Sequence, residues 1–157
     1  MTSPMESSSP SVQGVFWIRV AAVIGFVGVC MGTFMAHGIE SMLKSQGVTD
    51  PAVVAQRKEW VETGVEYQMY HGLAMLAIGV IAAFSPRRSK ALGWAASLFL
   101  VGILLFSGSL YALALTDYRK LGMIAPIGGL SFLAGWLTLA VAGLSQAGGS
   151  TRGLPQS

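Results

Sequence analysis

Charge is scarce in this sequence: 11% of its 157 residues are Asp, Glu, Lys or Arg, against roughly a quarter in an ordinary soluble domain. So little charge cannot cover a soluble globule, and with 53% of the residues apolar the surplus must face something other than water. The ten lysines and arginines, at a formal net charge of +3, are spread between loops and helix ends. They form no stripe that could track a phosphate backbone, which excludes nucleic acid as a partner. Cysteine is down to one residue, Cys30, so no disulfide can close within the chain. The two histidines, His37 and His71, come without a cysteine set or HExxH spacing. GxSxG, a P-loop, a dinucleotide fingerprint and a close pair of acids inside the apolar runs are also missing. No cofactor is expected, and no ordinary hydrolase or transferase is visible.

What the chain does have is long apolar runs. A bilayer core about 30 Å thick takes about 20 helical residues to cross, and four segments meet that need: about 15–38, 66–84, 92–115 and 122–144. The first has Trp17 at one interface and Arg19 placed to snorkel. Its apolar stretch Val20 to Ala36 is 17 residues, longer than a usual signal core, so a retained span is expected rather than a cleaved leader. The third and fourth spans hold no charge, and the short link Thr116 to Leu121 makes them antiparallel neighbours. Pro126 falls where it marks the first turns of the fourth. Residues 1–14 and 145–157, rich in Ser, Pro and Gly, read as disordered tails around one domain over 15–144.

The second span is short of apolar residues. Counting back from Ser85-Pro86, they reach only to Gly72, about 20 Å of helix. The span must therefore take in His71, Tyr70, Gln68, Tyr67 and, at its edge, Glu66, placing ionisable groups where they are costly and usually face a bundle interior or a wet cavity. Upstream, Asp50-Pro51 reads as an N-cap with proline at the first helical position. Val53, Val54, Trp60, Val61, Gly64 and Val65 fall on one side of the following turns, and Lys58, Glu59 and Glu62 on the other. Residues 51–64 are thus expected to form an amphipathic interfacial helix between spans 1 and 2. The fold class is all-α: an integral membrane four-helix bundle.

Basic residues set orientation in membranes. Ser85 to Ala91 carries Arg87, Arg88 and Lys90 with no acid, whereas 39–64 has three basic and four acidic residues. The basic loop is expected to be cytoplasmic, with both termini on that side. Association in lipid relies on close backbone approach and interhelical hydrogen bonds. The first span offers Gly25, Gly28, Gly32 and Ala36, and the fourth Gly128, Ser131, Gly135, Thr138 and Ala142, each at steps of three and four. Internal packing explains most of them; a dimer face is the functional alternative.

Connectivity brings His37, Glu40, Glu66, His71, Tyr111 and Asp117 toward one side of the membrane. If the stripe Cys30, Thr33, His37, Glu40, the stripe Trp60, Gly64, Tyr67, His71, Ala74 and the pair Ser107, Tyr111 face one another, they line a small polar pocket open toward the non-cytoplasmic side. The plainest reading is polar glue, with His37, Glu66, Tyr67, His71, Ser107 and Tyr111 bonding across helices at about 1 kcal/mol or less per contact. A second makes the protein a small transporter or channel subunit in which Glu66 and His71 handle a proton, ion or small polar solute. A third, the weakest, places a metal or haem at His37 and His71 with Glu66 as a further ligand.

The stretches GTFMAHGI (Gly32 to Ile39), EYQMYHGLAM (Glu66 to Met75), GILLFSGSLYALALT (Gly102 to Thr116) and LGMIAPIGGLSFLAGW (Leu121 to Trp136) carry a resemblance. In that order they resemble the YgdD-like family of small bacterial membrane proteins, a domain of unknown function with a small transmembrane relative in animals. With the sequence between them they cover most of 19–144. The resemblance implies a four-span inner-membrane protein and no catalytic residue. Met35 departs from the small residue it implies at that turn, and the tail before Val15 is an addition. The expectation is a structural or interaction component of the bacterial inner (plasma) membrane, partnered by the lipid bilayer and by a second copy or another membrane protein.

Overall fold

The computed structural model describes residues 9–85 and 89–147; the first eight residues, Arg87 and Arg88 of the basic loop, and the chain beyond 147 lie outside the described residues. The elements are α1 (Val12–His37), α2 (Ile39–Ser45), α3 (Pro51–Phe84), α4 (Lys90–Thr116), a 3-10 turn (Arg119–Met123) and α5 (Ala125–Ala147). The fold is all-α among the described residues, with four helices long and apolar enough to cross a bilayer.

α1 begins at Val12, three residues before the expected start, because Ser11 gives it a cap. The Ser11 hydroxyl oxygen accepts from the Gly14 amide and its hydrogen goes to the Ala82 carbonyl at 2.6 Å. The Ser11 amide in turn donates to the Ala83 carbonyl at 2.9 Å. The start of α1 is thereby pinned to the end of α3, and Gly14 lets the two backbones meet, since a Cβ there would collide with Ala83. Trp17 turns inward and is buried with Ala21.

α3 corrects one expectation. Residues 51–64 are not a separate helix lying on the membrane: Pro51–Phe84 is one helix of 34 residues, about 51 Å long, so about 20 Å of it stands clear of a 30 Å hydrocarbon core. Its start was read correctly, with Asp50 Oδ1 accepting from the Ala52 amide at 2.8 Å and Pro51 following. Its apolar stripe is covered by protein instead of lipid. α1 stops at His37, α2 folds back from Gly38, and Ile39, Leu43, Val61 and Ala114 close into a fully buried cluster. Complete burial of a side chain such as Ile39 or Leu43 is worth roughly 1.5–3 kcal/mol, enough to hold the projecting turns of α3 upright.

Arg57 ties the same projection to α4. Buried to 6% exposure, it pairs with Asp117 at 3.1 Å and donates to the Ala114 carbonyl at 3.4 Å. Asp117, at φ 56°, is the left-handed residue that ends α4, so Arg57 places a cation where the last carbonyls of that helix concentrate negative charge.

Within the membrane α3 and α4 pack together at the centre, with α1 docked on α3 and α5 on α4. The main core joins Trp17 and Ala21, Met75 and Ile78, Ala95, Phe99 and Ile103, and Phe132 and Ala142. Small residues of α5 face α4: Phe106 lies 2.5 Å from where a Gly128 Cβ would sit, Phe99 lies 2.6 Å from that of Gly135, and Ser131 donates to the Leu98 carbonyl at 2.8 Å. On α1, Gly28 meets Met69 and Gln68 of α3, Gly32 makes only ordinary contact with Val65, and Gly25 faces open space.

Candidate functional site

A side chain on α3 points where its position around the helix sends it, about 100° per residue, and this spreads the polar residues of the second span over three places. Gln68, 2% exposed, faces the junction of three helices. Its Nε2 donates to the Ile24 carbonyl of α1 at 2.7 Å, and its Oε1 accepts from the Tyr111 hydroxyl of α4 at 2.8 Å. Tyr111 reaches this position across Gly64, where a Cβ would stand 2.6 Å from the ring. The amide is therefore satisfied at both ends inside a medium that offers no water.

His71 faces α5. Its ring stacks on Phe132, centroids 3.6 Å apart and planes 9° apart. The Trp136 indole N–H donates to His71 Nε2 at 3.2 Å, and His71 Nδ1 lies 2.8 Å from the Tyr67 carbonyl. An indole can only donate, so Nε2 is the acceptor and the proton sits on Nδ1, directed at Tyr67. Both ring nitrogens of a neutral imidazole are thus occupied.

Glu66, Tyr67 and Tyr70 face outward from α3 and are exposed. With His71, Phe106, Phe132, Leu133, Trp136 and the Pro126–Leu130 end of α5 they line a cleft of about 760 Å³ between α3 and α5. Its walls are apolar and aromatic; Tyr67 packs on Phe106 at 4.5 Å between centroids. Glu66 makes no ion pair or hydrogen bond among the described residues.

The six residues expected in one polar pocket do not share it. Glu66, Tyr67 and His71 line the α3–α5 cleft, while Tyr111 belongs to the Gln68 bridge. Ser107 is fully buried, its hydroxyl without a partner. His37 is exposed at the end of α1 and lines a separate groove with Gly28, Gly32, Val65 and Met69. Glu40 is not on the α1 stripe, because the helix breaks at Gly38. It pairs with Lys44 at 3.0 Å and approaches Lys58 at 3.9 Å, and the Lys44 hydrogen bond and charge, then Lys58, hold its carboxyl below the ordinary value. Connectivity had put these groups at one level of the membrane, but being level does not put them on one side of a helix. His37 and His71 line different cavities, so they do not converge on a metal, and no three of His, Cys, Asp or Glu gather as metal ligands among the described residues.

Phe132, Trp136 and Arg57 were not singled out from sequence, and Gln68 was read only as a polar residue that the second span takes in, not as a member of the polar cluster. Gln68 had a signal: it lies four residues after Gly64 and three before His71 on the inward side of a span where an unpaired amide is costly. Trp136, four residues after Phe132 on α5 and 47% exposed, had only the polar tip that an indole facing an apolar medium tends to satisfy.

Comparison with known proteins agrees with this architecture. The family described as "Protein of unknown function (DUF423)" matches residues 31–129. A UPF0382 membrane protein of Haemophilus influenzae is 40% identical over 124 residues, 79% of this chain and 90% of that protein. One of Staphylococcus haemolyticus is 44% identical over 125 residues, 80% of this chain and 92% of its own. The UPF0382 inner membrane protein YgdD of Escherichia coli K12 is 39% identical over 126 residues, 80% and 87% of the two chains. No solved structure matches the chain. With four membrane-length apolar helices and relatives matched over most of both chains, this is an integral membrane protein of the DUF423 (UPF0382, YgdD-like) family.

Proposed function

We propose that the protein is a structural and interaction component of the bacterial cytoplasmic membrane that holds another membrane constituent at the α3–α5 cleft and neither conducts a solute nor catalyses a reaction. The observation that carries this reading is the pairing of His71 and Gln68, the two large polar side chains buried in the second span. His71 spends both nitrogens on Trp136 and Tyr67, and Gln68 spends its amide on Ile24 and Tyr111. Further along α3 and α4 the interior is apolar and closed by Met75, Ile78, Phe99 and Ile103, and a conduction path would need polar groups or water there. Both termini are read as cytoplasmic. The start of α1 is bonded to the end of α3, next to the Arg87, Arg88, Lys90 loop that the positive-inside rule assigns to the cytoplasm. The name of the Escherichia coli relative, an inner membrane protein, favours the same membrane.

The competing reading, a small transporter or channel subunit, draws on Glu66 and His71 lining one cleft. Proteoliposomes holding a pH gradient and an internal pH dye separate the two. Wild-type protein is expected to leave the gradient decaying as slowly as in protein-free vesicles, and His71→Ala to lower membrane abundance and thermal stability. A leak through wild type that His71→Ala removes at unchanged abundance would overturn the proposal in favour of proton handling.

A further inference from the structure

The geometry points to the α3–α5 cleft as a binding site for a phospholipid with a primary ammonium head, of the phosphatidylethanolamine class. This rests on the cleft being the interaction surface and names what the surface takes. The first support is vertical order. Glu66 stands 18 residues before Phe84 on α3, about 27 Å along the axis, which sets it near the far edge of a hydrocarbon core about 30 Å thick. Leu133 and Trp136 line the same cleft deeper in the bundle, and Trp136 bonds His71, five residues past Glu66 on α3, about 7.5 Å further in. A carboxylate at the level of the head groups above an apolar trough at the level of the chains is the layout of a lipid.

Charge supplies the second support. Near this end of the bundle Arg57 pairs with Asp117, and Lys44 and Lys58 with Glu40, while Glu59, Glu62, Glu66, Arg119 and Lys120 form no ion pair among the described residues; of these unpaired charges Glu66 is the one that lines the cleft. Glu66 has no such partner, and the Tyr67 and Tyr70 rings beside it, centroids 6.4 Å apart, offer π-faces that attract an ammonium. A head group with only negative charge would be repelled by the carboxylate. A second copy packed on this cleft about a two-fold axis would bring two unpaired Glu66 carboxylates to the same interface, which disfavours that occupant. Space is the third: the cleft holds about 760 Å³, and a Cβ on Gly129 in its wall would meet nothing within 4 Å, so a chain can lie against the α5 backbone.

The test uses full-length protein in mild detergent, given equal amounts of phosphatidylethanolamine and phosphatidylglycerol with identical acyl chains, and read by native mass spectrometry. Wild type is expected to retain one phosphatidylethanolamine with a preference of about fivefold, the worth of one exposed ammonium contact. Glu66→Gln, an exposed and nearly isosteric change, should bring the preference to unity with helical content unchanged. Leu133→Trp should fill the trough and remove both lipids. No preference in wild type, or a preference indifferent to Glu66→Gln, overturns ammonium selection. If both lipids then bind equally and Leu133→Trp removes both, the cleft survives as an interaction surface without head-group choice. If bound lipid ignores Leu133→Trp, the cleft reading fails as well. A wild-type dimer that Leu133→Trp splits would make a second copy the occupant and overturn the lipid.

Discussion

Gln68 is the residue whose removal should cost the most per atom changed. Replacing it with leucine keeps the volume and creates no cavity, but it deletes the 2.7 Å bond to the Ile24 carbonyl and the 2.8 Å bond from Tyr111. Side-chain hydrogen bonds between membrane helices average about 0.6 kcal/mol and reach about 1.7, so the two bonds together are worth about 1–2 kcal/mol. The Tyr111 hydroxyl is then stranded in a half-buried place, a further penalty of about 1 kcal/mol. Gln68→Leu should therefore destabilise by about 2–3 kcal/mol, and Tyr111→Phe, which leaves Oε1 unpaired, by about 1 kcal/mol. The double variant strands nothing at their contact, so it should cost less than the sum by about 1 kcal/mol. Unfolding in mixed micelles, titrated with a denaturing detergent and followed by far-UV circular dichroism, supplies the four free energies. A cycle that closes additively, within about 0.3 kcal/mol, would refute the bridge as an energetic link between α1, α3 and α4.

The remaining predictions come from the glycines and from the projecting end of the bundle. Gly135→Val should destabilise by about 1–3 kcal/mol in the same titration, because it drives a side chain into Phe99. Gly25→Ala, facing open space, should be neutral or slightly stabilising through its better helix propensity; equal costs at the two sites would contradict the assignment of inward and outward faces. The Glu40 carboxyl is held below its ordinary value of 4.5, so its contribution to α2 is complete above that pH and is lost as pH falls through the lowered value. Protection factors in Ile39–Ser45, with the intrinsic pH dependence of amide exchange divided out, should fall on such acidification at low salt and much less so in Glu40→Gln, and high salt should shrink the difference by screening the exposed pair. An identical acid response in both proteins would remove Glu40 from the account.

The four spans were legible because length and hydropathy are enough to require them, and the second could cross only by including His71. The continuity of α3 was not legible. The stripe of Val54, Val61 and Val65 reads the same whether lipid or protein covers it, and the cover is a seven-residue helix too short to announce itself by periodicity. Ser11 illustrates the same limit at the other end: a serine in a Ser/Pro-rich stretch becomes a cap only because the carbonyls at the end of α3 come within reach of it.

The site was half legible, and the division has a physical cause. Connectivity fixes depth, so it could bring Glu66, His71, Tyr111 and His37 to one end of the membrane. Rotation about each helix axis is fixed by packing, and that sent Gln68 inward, His71 toward α5, and Glu66 with Tyr70 to the open side. A bilayer enforces this sorting, since a polar group turned inward must find a protein partner or stay expensive. Gln68 and His71 found theirs. Glu66 did not have to, because at the head-group level a partner can come from outside the chain. The unpaired carboxylate therefore says more about what the protein meets than the buried histidine does, although the histidine is the residue that sequence makes conspicuous.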